Sequence, residues 1–151
     1  MKIISGKYKG RNIEGFTIDG TRPTMDRVKE SLFATIQNYL DNSKVLDLFS
    51  GSGNLGIEAL SQGAKSITLV DSNYKAIKVI NNNLKNIDVT DAKVLNMDYK
   101  KALESLDDKF DIIFLDPPYK TNYIDSHYSI NSVEYFSDDL YIQVLCFKIL
   151  R

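Results

Sequence analysis

The chain has 151 residues, a length that suits one domain, because such a chain buries roughly two-thirds of its unfolded surface. Its 43% hydrophobic and 26% charged residues are those of a soluble globular protein; no apolar run reaches the about 18 residues of a membrane span, and MKIISGKYKGR at the start has no secretory pattern. One cysteine, Cys146, and one histidine, His127, exclude an internal disulfide and Cys- or His-based metal sites, so no metal and a cytoplasmic location are expected, and a net charge of −1 excludes a globally basic polyanion binder.

In chain order, the first 16 residues set Gly6, Gly10 and Gly15 between short apolar runs and predict a small hairpin. This segment is basic, with Lys2, Lys7, Lys9 and Arg11, and Arg22, Arg27 and Lys29 follow. It is either a phosphate-contacting patch or a solvated edge. After the turn TRPT, Val28, Leu32, Ile36 and Leu40 recur every four residues, flanked by Phe33 and Tyr39. They predict an amphipathic helix from about Asp26 to the DNSK stop.

Strands and helices then alternate. KVLDLF (44–49) reads as a buried strand. NLGIEALSQG reads as a helix with Leu55, Ala59 and Leu60 inward and Gly63 as its stop. SITLVD (66–71) is a second strand, followed by a helix from about Asn73 to Asn86 with Ile77, Ile80 and Leu84 on one face. AKVLNMD (92–98) is a third strand, YKKALESL a short helix and FDIIFLD a fourth strand. LYIQVLCFKIL (140–150) is a weaker fifth. This order predicts an α/β protein with a doubly wound, mostly parallel sheet. Ligands of such sheets bind outside the carboxyl ends of the strands, and here each of the first four strands carries an aspartate at or near that end: Asp47, Asp71, Asp98 and Asp116.

GSGNLG is G-x-G-x-x-G between a strand and a helix, with Asp71 twenty residues after Gly51. Such a loop fits a dinucleotide, with Asp71 on a ribose. It fits S-adenosylmethionine equally well, since that ligand also offers two ribose hydroxyls; a tight turn without a ligand is the plain alternative. Asp47 disfavours the dinucleotide, because a carboxylate beside the loop repels pyrophosphate. It would instead pair with the ammonium of a methionine moiety or order the loop. Asp98 would accept from an adenine amine or simply cap the next helix.

DPPY (Asp116 to Tyr119) ends the fourth strand in a carboxylate, two prolines and an aromatic ring. Proline fixes φ and aims the Pro117 carbonyl, and it keeps Asp116 extended. Two acceptors beside a stacking ring suit the exocyclic NH2 of a planar base. Held there, its lone pair can be drawn out of conjugation and aimed at the methyl of a sulfonium. The base must be flipped out or unpaired.

VLDLFSGSGNLGIEAL followed by DPPY resembles the class I, amino-directed methyltransferases. The opening MKIISGKYKGR and TRPTMDRVKESLF narrow the resemblance to the RsmD family, which methylates N2 of a guanine in 16S ribosomal RNA; it covers about residues 1–120. It implies a Rossmann-like single domain over 1–151: an N-terminal hairpin (1–20), a cofactor-binding and catalytic core (21–120) and a tail (121–151). It implies S-adenosyl-L-methionine as cofactor, bound by Asp47, Phe49, Gly51, Gly53, Asp71 and Asp98. Asp116, Pro117 and Tyr119 would handle the guanine, and Lys7, Lys9, Arg11, Arg22 and Arg27 the RNA. The partner would be 16S ribosomal RNA or a small-subunit particle, and the protein a monomer. The tail departs from the family pattern, so incomplete C-terminal strands are expected. Two rivals stand beside this reading: a nicotinamide-dependent oxidoreductase, and an RNA-binding or assembly protein that kept the fold and lost catalysis.

Overall fold

The computed structural model describes residues 1–17, 26–117 and 142–145. Among these residues, five strands form a parallel sheet: β1 (Lys44–Asp47), β2 (Ser66–Asp71), β3 (Lys93–Asn96), β4 (Ile112–Leu115) and β5 (Ile142–Leu145). Their order is β3-β2-β1-β4-β5. Chain order reverses at β1, so β1 and β4 flank a switch point, where open parallel sheets form their ligand crevice. In register, Asp47 stands beside Leu69 on one side and Phe114 on the other.

Side chains alternate across the strands, which gives two cores. Val45, Ile67, Leu69, Ile112 and Phe114 pack under α1 (Asp26–Leu40), α2 (Asn54–Ser61) and α3 (Tyr74–Asn86). Leu46, Leu48, Val70, Ile113 and Leu115 pack under α4 (Tyr99–Ser105). By the same alternation Asp47 falls on the first face, among helices rather than in solvent, and is 1% exposed.

The second strand has the bounds its sequence predicts. The first ends at Asp47 rather than Phe49, where Ser50 stitches the chain into a loop: its hydroxyl donates to Asp47 O at 2.8 Å, and its amide donates to Val70 O at 3.0 Å. Within 140–150, Ile142–Leu145 pairs with β4; the remaining tail residues lie outside the described ones.

Two expectations about helices need correction. The buried face of α1 is Lys29, Phe33, Ile36 and Leu40, while Val28 and Tyr39 are exposed. The apolar stripe is rotated because Lys29 is buried in an ion pair. Likewise, α2 is buried nearly all round, including Ile57 and Glu58, and Leu60 is only half-buried; the helix lies between the sheet, α1 and the N-terminal hairpin. That hairpin is short, with Lys2 bridging antiparallel to Asn12 and Ile3 donating to Arg11 O at 3.0 Å.

Candidate active site

The glycine loop is held from behind by hydrogen bonds. Asp71 Oδ2 accepts from the Gly51 amide at 2.9 Å and Oδ1 from the Asn73 amide at 2.8 Å. Thus Asp71 ties the end of β2 to the loop and to the start of α3. Gly51 has φ 55°, and among the described residues nothing lies within 4 Å of where a Cβ would stand. The left-handed backbone there favours glycine, and no described residue fills the space beside it. Gly53 is the N-cap of α2, whose free amides make a locally positive end. Phe49 is half-buried, its ring 5.2 Å from that of Tyr99.

Three of the expected aspartates converge here. Asp116 and Pro117, both half-buried, directly follow β4. Asp116 is two residues beyond Phe114, the register partner of Asp47. Burial, then the Asp116 carboxylate, push the Asp47 carboxyl up to about 7; the Phe49 amide pulls it back, Asp71 adds to the rise, and the Gly56 amide opposes it. Asp47 Oδ1 is buried with no hydrogen-bond partner among the described residues. Burial also raises the Asp71 carboxyl, against the amides of Asn73 and Gly51. Asp98 caps α4, accepting from the Lys100 amide at 2.9 Å, so of its two expected roles the capping one is occupied. Among the described residues, no group of three or more His, Cys, Asp or Glu side chains is placed to hold a metal ion.

Of the expected RNA contacts, Lys7, Lys9, Arg11 and Arg27 are exposed. Lys7 and Arg11 sit over the Tyr8 ring, 5.1 and 5.7 Å from its centroid. Arg22 and Tyr119 lie outside the described residues.

The sequence reading missed the buried polar groups that join hairpin to loop. Lys29 and Glu58, both fully buried, pair at 3.0 Å. Lys29 Nζ also donates to Lys2 O and Asn54 Oδ1, and Glu58 accepts from the amides of Ile4 and Ser5. Asn83, 1% exposed, accepts from the Glu14 amide at 2.8 Å and donates to Glu14 O and to Ser52 O, each at 2.9 Å. One side chain therefore touches both the hairpin and the glycine loop. Gly6 completes the seam: a Cβ there would stand 1.8 Å from Ser61 O. The available signal was polar residues at buried phases, Asn83 beside Ile80 and Leu84 and Lys29 four residues before Phe33.

A family described as "Conserved hypothetical protein 95" matches residues 1–144. "Putative rRNA methyltransferase YlbH" of Bacillus subtilis is 47% identical over 124 residues, 80% of this chain and 67% of that protein. "Ribosomal RNA small subunit methyltransferase D" of Haemophilus influenzae is 36% identical over 127 residues, 81% of this chain and 65% of that protein. The chain thus spans about two-thirds of the length of these curated relatives. Among solved structures, "Putative methyltransferase yhhF from Escherichia coli" superposes with a TM-score of 0.84 at 30% identity, over 96% of this chain and 79% of that one.

Proposed function

The chain belongs to the RsmD family and has the Rossmann-like fold of class I methyltransferases, and from that premise we propose that it transfers a methyl group from S-adenosylmethionine to the exocyclic N2 amine of a guanine in 16S ribosomal RNA. The observation that carries this reading is the placement of Asp116 and Pro117 beyond β4, beside the glycine loop across the switch point.

The residues present fit the cofactor. Asp71 stands at the carboxyl edge, where a carboxylate can accept from ribose hydroxyls, each such bond contributing about 1.5–3 kcal/mol. Among the described residues nothing stands beside Gly51, which leaves room for a ligand against the loop backbone. Asp47 Oδ1, without a hydrogen-bond partner among the described residues, is an acceptor that an ammonium group would satisfy. When bound, the cofactor supplies an electrophilic methyl on a positively charged sulfur.

The remaining work falls to the chain. The Asp116 carboxylate and Pro117 carbonyl accept the two amine hydrogens, which loosens the nitrogen lone pair from the ring and aims it. Tyr119 stacks on the guanine. Holding both partners in one crevice converts a bimolecular encounter into an oriented one. The new N–C bond leaves the amine with an extra proton, and Asp116 is the base placed to take it. The printed names of the curated relatives support ribosomal RNA as the substrate class.

Asp116→Ala and Asp71→Ala separate the roles. Calorimetry with S-adenosylmethionine is expected to show near wild-type affinity for Asp116→Ala and strongly weakened affinity for Asp71→Ala. Methyl transfer is expected to vanish in Asp116→Ala. Transfer at the wild-type rate by that variant would refute the role of Asp116, and equal affinity in Asp71→Ala would remove Asp71 from the ribose.

A further inference from the structure

The thirteen residues of α3 include Lys75, Lys78 and Lys85 and no carboxylate. Successive residues turn by about 100°, so Tyr74, Lys75, Lys78, Asn82 and Lys85 fall on one face. All are exposed, opposite buried Ile77, Ile80 and Leu84. A solvated helix face ordinarily interleaves charges of both signs three or four residues apart; this one does not. Among the described residues, none of the three lysines has an ion-pair partner. Lys75, in the first turn, also opposes the helix dipole. Lys85, in the last turn, complements that dipole, but Lys75 does not, so helix stability accounts for only part of this charge pattern.

An aromatic ring stands within it. Tyr74 is 62% exposed, and Lys78 Nζ lies 4.8 Å from its ring centroid. The helix starts three residues after Asp71, at the carboxyl edge of the sheet where the glycine loop lies. Just past its other end, Asp88 meets Arg11 of the hairpin at 3.5 Å, and within it Asn83 binds the Glu14 backbone. Hairpin and helix are thus neighbours. Residues 1–13 and 74–86 together hold seven lysines and arginines and no Asp or Glu, in a chain with 19 basic and 20 acidic residues. The hairpin repeats the same combination, with Lys7 and Arg11 over Tyr8.

We propose that the exposed face of α3, from Tyr74 to Lys85, continues the basic hairpin as one RNA-docking surface. Its lysines meet the phosphates of the strand flanking the target base, and Tyr74 is a stacking platform for an unpaired base. The inference rests on the RNA-methyltransferase reading and adds to it where the strand runs.

The test is binding of a small-subunit ribosomal RNA transcript to the full chain across a salt series. Each phosphate contact on a single strand adds about 0.7 to the slope of log affinity against log salt. The triple variant Lys75→Gln, Lys78→Gln, Lys85→Gln is expected to lose about 2 from that slope and to bind about tenfold or more weakly at low salt. Tyr74→Ala is expected to weaken binding several-fold with the slope unchanged. Thermal melting and S-adenosylmethionine affinity should match wild type in both, which separates lost docking from lost folding. Wild-type affinity and slope in the triple variant, with a wild-type protein that binds and methylates RNA, would overturn this inference alone. A wild-type protein that binds neither the transcript nor assembled small-subunit particles, or binds anionic vesicles instead, would overturn both this inference and the reading beneath it.

Discussion

The two faces of the sheet are built by different chemistry. Under α4 the contacts are apolar, with Leu46, Leu48, Ile113 and Leu115 against Ala102, Leu103 and Leu106. Under α1, α2 and α3 an apolar core of similar kind is threaded by Lys29, Asp47, Asn54, Glu58 and Asn83, all buried. Buried polar groups are costly unless satisfied, and a hydrophobic pair of similar volume in place of a buried ion pair is often neutral or stabilising. The first face carries them because it connects three things that must be in register: the N-terminal hairpin, the glycine loop and the end of β1. Lys29, Glu58 and Asn83 each bond to the hairpin backbone, and Asn83 also bonds to the loop. The second face closes the sheet through apolar contacts, with Phe49 packed against Tyr99 at its edge.

The contrast breaks most visibly at Glu58. Glu58→Ala leaves the Lys29 ammonium buried without its carboxylate and frees the Ile4 and Ser5 amides, a loss of about 3–5 kcal/mol. On the other face Leu103→Ala removes a buried side chain at the edge of its cluster, a loss of about 2 kcal/mol. Urea denaturation measures both, and RNA binding should weaken in the first variant and hold in the second. Equal losses, with RNA binding intact in each, would show that the polar seam has no special part in holding the hairpin.

At the end of β1 the contrast shows as a dependence on pH. An ordinary aspartate titrates at 3.8, and Asp47 in the folded chain at about 7. Between these values the unfolded chain gives up its proton while the folded chain keeps it. Stability therefore falls as pH rises from about 4 to about 7, by at most about 4 kcal/mol, and Asp47 adds no further change outside that window. Asp71, also raised, acts with the same sign. In Asp47→Asn the Asp47 part disappears, so the denaturation midpoint at pH 7.5 should rise relative to that at pH 4.5, compared with wild type. An unchanged pH profile would mean that Asp47 is not the buried acid its position implies.

The same contrast explains what was legible in the sequence. Alternation of strands and helices, and the glycine loop between β1 and α2, follow from local rules of period and turn chemistry; Ser66–Asp71 was readable to the residue. The apolar face needs nothing more. The polar seam depends on partners far apart in the chain: Glu58 on Lys29 and Ile4, Asn83 on Glu14 and Ser52. No local pattern announces such pairings, so the reading of α1 put Val28 where Lys29 is buried. At the candidate site, the glycine spacing pointed to Gly51 and Asp71 and the DPPY motif to Asp116, and the capping of α4 was one of the two readings of Asp98; that Asp71 already holds the loop through Gly51 and Asn73 was not legible.

Methyl transfer to a guanine amine can be read from the modified nucleoside itself. The full chain is incubated with methyl-radiolabelled S-adenosylmethionine and small-subunit ribosomal RNA, naked and in assembled particles, and the RNA is digested to nucleosides. Label is expected in N2-methylguanosine from at least one of the two substrates. Label in another nucleoside, or in none from either substrate, would contradict it.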